Sequence, residues 1–228
     1  MSSQPEHSLE IERKYDVDDG VVLPNWRALP GVVGVDAPEP RELDARYFDT
    51  ADLALARGGA AVRRREGGPD AGWHIKVSAV DGKHEYHWPL TVDAAASDSA
   101  DGGDGGDGGD GGDGGTGGVP AAVAAALADR SAGPFVPIAR IRNHRVAYGL
   151  RDVAGKLVAE VVDDHVTARN ERSGGEQSWR EWEVELGPAG PATPAQIAAF
   201  FTEVDALVAA AGGRVSASPS KLARALSA

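Results

Sequence analysis

At 228 residues, 42% of them hydrophobic, the chain can build one substantial domain with its own core, and a net charge of −12 argues against a general nucleic-acid binder, which needs a basic face. Cysteine is absent, which excludes disulfides and thiolate metal sites and fits a reducing cytoplasm. No stretch approaches the roughly 20 apolar residues that span a bilayer, and the amino terminus has no apolar run behind a basic start, so a cytoplasmic protein without a membrane partner is expected.

Residues 9–15 alternate with period two and read as the first strand, with Glu10, Glu12 and Lys14 on one face and Ile11 on the other. Residues 44–49, 61–65, 73–77 and 84–90 come next as strands. Arg63 and Arg65 share a face opposite Val62, and Lys76 shares one with His74 opposite Ile75. From 94 to 118 the sequence becomes repeated Asp-Gly-Gly, carrying Asp101, Asp104, Asp107, Asp110 and Asp113. With no side chains to bury and the most backbone entropy to lose, this tract is expected to be a disordered surface loop. It also lacks the apolar positions that a calcium-binding β-roll requires.

Residues 119–129 are alanine-rich and open with Val119-Pro120, which predicts a helix. Strands over 139–150, 157–166 and 178–186 bring the expected total to eight. The sixth carries Arg142 and Arg145, the seventh Glu160 and Asp164, and the eighth alternates Glu181, Glu183 and Glu185 with Trp182, Val184 and Leu186. Thr193-Pro194 caps and opens a helix that should run to about 211, where Gly212-Gly213 stops it. Its residues Ile197, Phe200, Phe201, Val204, Leu207 and Val208 keep helical spacing and should pack outside the sheet. A short last helix after Ser218-Pro219 carries Lys221.

Rows of like charge normally face water in a sheet. Here the opposite faces carry Ile11, Val62, Ile75, Trp182 and Val184, which can pack against helices, and charged rows recur from the first strand to the last. A barrel with a polar lumen requires that arrangement. Arginine and lysine hold phosphate oxygens, and grouped carboxylates hold hard divalent cations. The six histidines show no metal-ligand spacing.

The segment Glu10-Ile11-Glu12-Arg13-Lys14 resembles the ExExK signature of the CYTH family, the triphosphate tunnel metalloenzymes. The order of the segments downstream is also similar: Tyr47-Phe48-Asp49-Thr50, Ala61 through Arg65, His74-Ile75-Lys76, Glu85, Arg145, Glu160, the Glu181 to Leu186 row and Ser220-Lys221-Leu222. The resemblance covers nearly the whole chain outside the Asp-Gly-Gly insertion. It implies an α+β fold in a single domain, an eight-stranded antiparallel closed β-barrel forming a tunnel with a few helices packed outside. It also implies a requirement for Mg²⁺ or Mn²⁺, held by Glu10, Glu12, Glu181, Glu183 and Glu185. Lys14, Arg63, Arg65, Lys76, Arg142, Arg145 and Lys221 would then bind phosphates, and Glu12, Lys14, Glu85 and Glu160 would take part in catalysis. The implied partner is a small triphosphate or polyphosphate. The implied activity is hydrolysis of inorganic triphosphate or a related substrate; a class IV adenylyl cyclase forming cyclic AMP and a non-catalytic polyphosphate-binding module are the alternatives. The resemblance leaves open whether the protein is a monomer or a homodimer. Two departures bear on substrate preference: Asn143 stands where many members have a basic residue or threonine, and His87 comes after Glu85 where an acid is common.

Overall fold

Period-two alternation becomes eleven strands among the described residues of the computed structural model, 4–90 and 118–228. They are β1 (Glu6–Glu10), β2 (Glu12–Val17), β3 (Gly34–Val35), β4 (Glu39–Asp49), β5 (Ala60–Glu66), β6 (Gly72–Ala79), β7 (Gly82–Pro89), β8 (Val136–Arg151), β9 (Leu157–Asn170), β10 (Glu176–Leu186) and β11 (Arg214–Val215). The helices are α1 (Ala54–Arg57), α2 (Ala121–Ala126), α3 (Pro194–Ala211) and α4 (Lys221–Leu226), with a 3-10 turn over Trp26–Ala28. The Asp-Gly-Gly tract expected to be a loop lies outside the described residues, apart from Gly118.

The antiparallel sheet runs β1-β7-β6-β5-β4-β8-β9-β10-β2-β11, with the two-residue β3 beside β8. Its two ends belong to one stretch of chain. β1 pairs with β7 and β2 pairs with β10, and only Ile11 lies between them, its carbonyl accepting from Leu186 N at 2.9 Å. With β1 and β2 taken as one strand bent at Ile11, eight strands form the ring read from the sequence, and the short β3 and β11 are additions. The switch of partner along one strand agrees with barrel geometry, because tilted strands are staggered and each half of the closing strand meets a different neighbour.

Parity then decides what faces the lumen. Outside β10 and β2, Trp182, Val184, Tyr15 and Val17 pack with Phe200, Phe201, Val204 and Val208 of α3. Thr193 caps α3 in a reciprocal pair with Gln196, and Gly212 ends it in the left-handed conformation at φ 102°. With eighteen residues and a mean hydropathy of 1.2, α3 is long and apolar enough to cross a bilayer by length and composition. Here its four buried side chains lie against the barrel, and its Asp205 accepts from the Tyr15 hydroxyl at 2.8 Å. Outside β5, β6 and β7, Val62, Trp73, Ile75 and Trp88 pack with Leu55 of α1 and Val123 of α2. The latter helix is shorter than the expected 119–129, because Pro120 is its cap and the chain turns at Leu127, which is fully buried.

The last helix, whose Lys221 reads from sequence equally as a tunnel lid or a solvent-facing residue, takes the lid position. Leu222 and Ala225 of α4 lie among Ala45, Tyr47, Ile141 and Val166, which point inward, so α4 stops one end of the barrel.

Candidate active site

The unstopped part of the lumen is a cavity of about 380 Å³ whose walls differ in charge. One wall comes from β1, β2 and β10. Across that pairing Glu185 stands opposite Glu12 and Glu183 opposite Lys14, while Glu10 lies one turn of the pleat away. The facing wall comes from β5, β6 and β8 and presents Arg63, Arg65, Lys76 and Arg145.

Ion pairs tie the walls together. Lys76 Nζ donates to both oxygens of Glu10 at 2.7 and 2.6 Å, and Lys83 Nζ donates to Glu12 at 2.6 Å. Lys14 donates to Glu12 at 3.0 Å and also to Glu183. Arg145 forks onto Asp164 at 2.8 and 2.7 Å and reaches Glu183 at 2.8 Å. Glu85 collects Arg63 at 3.5 Å, Lys76 at 3.4 Å and His74 at 2.8 Å, and so aligns the basic row. Glu160 holds Arg41 at 3.2 Å near the mouth.

Two kinds of group remain unsatisfied. Glu185 lines the cavity without an ion-pair partner among the described residues; burial and the neighbouring Glu10 and Glu12 push its carboxyl up to about 7. Burial likewise raises Glu10, whereas in Glu12 the effect of burial is outweighed by Lys14 and Lys83, which hold it well below the usual carboxylate range. On the facing wall, Arg63 Nε, Arg65 Nε and the Asn143 side-chain oxygen are buried without a protein partner. Burial and the like charges of Arg63 and Arg145 bring Arg65 down to about 9. Burial also brings Lys14 down to about 8 against the pull of Glu12. A carboxylate short of a cation thus faces guanidiniums that pair with Glu85 (Arg63) and Asp70 (Arg65) yet keep buried Nε–H donors without an acceptor, a donor set that fits a hard divalent ion and an oxyanion together.

Most of the residues expected at the site meet here: Glu10, Glu12, Lys14, Arg63, Arg65, Lys76, Glu85, Arg145, Glu160, Glu183, Glu185 and Lys221 all line the cavity. Glu181 lies deeper, at 3% exposure beside Lys221. Arg142 corrects the expectation. It projects from the outer face of β8, 64% exposed, because three positions separate it from Arg145 and an odd spacing in a strand reverses the face. Lys83, Arg41 and Tyr47 also line the lumen and were not assigned there from sequence. Lys83 shares parity with Glu85, so that signal was present; for Arg41 it was obscured by Pro40, which nonetheless pairs within β4.

The CYTH domain profile matches residues 8–207. The chain belongs to the CYTH family. This family comprises metal-dependent enzymes, cyclases and triphosphatases, that act on triphosphates. Two uncharacterized Mycobacterium tuberculosis proteins, from strains CDC 1551 and H37Rv, are each 34% identical over 194 residues, which is 80% of this chain and 34% of theirs. The chain therefore spans about a third of the length of these curated relatives. Among solved structures, a candidate adenylate cyclase from Bacillus halodurans superposes with a TM-score of 0.55 at 17% identity, covering 96% of this chain and 97% of that one. The Pyrococcus horikoshii protein PH1819 gives 0.52 at 12% identity, with 96% and 98% covered. At these identities the likeness establishes the shared CYTH tunnel fold.

Proposed function

We propose that this CYTH domain is a divalent-metal-dependent triphosphatase acting on inorganic triphosphate or a related triphosphate. The observation that carries this reading is the pairing of Glu185, which has no ion-pair partner among the described residues and lies beside Glu10 and Glu12, with the buried, unaccepted Nε–H donors of Arg63 and Arg65 across one narrow cavity. Glu10, Glu12 and Glu185 would hold one Mg²⁺ or Mn²⁺, which when bound neutralises phosphate oxygens. Arg63, Arg65, Lys76 and Arg145 bind and orient the phosphate chain, with Glu85 fixing the first and third of these. Lys14, between Glu12 and Glu183, places a cation where the acid wall meets the substrate. Phosphoanhydride hydrolysis asks for this kind of placement and charge neutralisation more than for covalent help.

Among the described residues Tyr47 supplies the one aromatic ring of the cavity lining, its hydroxyl accepting from Arg63 at 3.3 Å, and charged side chains make up most of the rest. A lining of this kind supports phosphate handling more directly than purine recognition, which favours hydrolysis over cyclisation. The test is a substrate panel of inorganic triphosphate, thiamine triphosphate and ATP with Mg²⁺ or Mn²⁺, scoring orthophosphate, pyrophosphate and cyclic AMP. Orthophosphate without cyclic AMP is expected. Cyclic AMP with pyrophosphate would replace this reading with the cyclase, and tight polyphosphate binding without product would replace it with a binding module.

A further inference from the structure

Besides Glu85, Glu160 and Asp70, which hold arginines, the carboxylates of the lumen fall into two groups that the sequence does not separate. At the stopped end, Asp164, Glu181 and Glu183 bring one oxygen each within 4.8 Å of one another, a grouping suited to a divalent ion. An ammonium already sits there. Lys221 Nζ lies 2.8 Å from Asp164, 2.5 Å from Glu181 and 2.8 Å from Glu183.

The helix that carries this lysine is fixed in place. Ser220 Oγ accepts from Ala223 N at 3.0 Å at the start of α4, and Leu222 and Ala225 are buried in the apolar stop behind it. Arg145 supplies a second cation to Asp164 and Glu183, and Lys14 supplies another to Glu183. Every member of this group therefore has a cationic partner. A dissolved ion would have to displace an ammonium held at high effective concentration by its own backbone. The other group differs at one residue: Lys76 and Lys83 hold Glu10 and Glu12, while no ion pair among the described residues reaches Glu185.

We propose that Lys221 is a tethered cation filling a second acidic seat in the lumen, so that the protein takes one divalent ion, at Glu10, Glu12 and Glu185, and not two. The inference rests on the metal-binding reading of the site and adds the stoichiometry and its structural cause. It also makes α4 part of the site, because the contacts that close the barrel also position the charge.

The test is a Mn²⁺ titration of the whole chain, with free ion read by electron paramagnetic resonance and no substrate present. The wild type is expected to bind one ion. Glu185→Gln should weaken it by about tenfold or more, since changes even outside the ligand set of a metal commonly cost that much. Glu181→Gln should leave it within about twofold, because the hydrogen bonds of Glu181 go to Lys221 and Trp179 and not to Glu10, Glu12 or Glu185, so it is not an outer partner of the ion's ligands either. Lys221→Met keeps the aliphatic stem, and should gain a second ion and a larger rise in Tm on adding Mn²⁺ than the wild type shows. Lys221→Arg should keep the count at one. If Lys221→Met does not fold, the Glu181 and Glu185 variants decide alone. Two ions of similar affinity in the wild type, or one ion lost in Glu181→Gln and kept in Glu185→Gln, would overturn the proposal while leaving the metal reading intact. No bound ion at all would instead sink the metal reading.

Discussion

Arg142 and Arg145 are the same residue on the same strand, three positions apart, in two different environments. Arg145 is 17% exposed and bonded to Asp164 and Glu183, whereas Arg142 is 64% exposed with its nearest acid, Asp44, at 3.9 Å. The same division separates Asp164 in the lumen from Asp163, which holds Arg180 outside at 2.8 Å. Charge acquires a role here through the face it occupies, because only the inner face concentrates like charges where water is scarce.

The strongest way to break this comparison is to neutralise one residue of each kind. Glu12→Gln or Arg65→Ala should lower turnover by about 10²–10³-fold, the usual effect of losing a preorganised electrostatic contact. Arg142→Ala should stay within about twofold in the same assay, because exposed ion pairs contribute little. Trp182→Ala attacks the outer face instead. It should cost about 3–5 kcal/mol in denaturant unfolding while activity per folded molecule changes little, since the ring packs with Tyr15 and α3 away from the cavity.

A pH series sharpens the contrast further. Burial places Lys14 at about 8 in place of its ordinary 10.5, so triphosphate affinity should fall as pH rises through 8 and this ammonium is lost. In Lys14→Arg the fall should move to higher pH, because guanidinium stays charged. The stability effect has the opposite sense. The unfolded chain holds this proton more tightly, so the cost of burying Lys14 is full below 8 and is relieved as pH rises toward 10.5. The smallest expected effect is at the α3 cap, where Thr193→Ala should cost about 1 kcal/mol of stability and leave activity unchanged.

Much of this was legible in the sequence because a strand has a two-residue period. Once Glu10, Glu12 and Lys14 are placed on one face, the rows on the other strands are set by parity, and all eight main strands and the α3 boundaries come from alternation and capping residues. Arg142 was misplaced where that parity was not applied. The direction of α4 was hidden for another reason. From sequence Lys221 reads equally well as a tunnel lid or a solvent-facing residue, and only the long-range pairing that brings Asp164 beside Glu181 creates an acidic seat for the lysine to fill. The division of the acids into a neutralised group and an uncompensated one has the same origin, since cross-barrel partners such as Lys76 with Glu10 are separated by dozens of residues.

The most direct measurement is a calorimetric titration of inorganic triphosphate, with Mg²⁺ present at a temperature that slows turnover, into wild type, Arg65→Ala and Arg142→Ala. Wild type and Arg142→Ala should bind alike, and Arg65→Ala should lose most of the affinity. Equal weakening in both variants, or unchanged binding in Arg65→Ala, would contradict a lumen that holds phosphate.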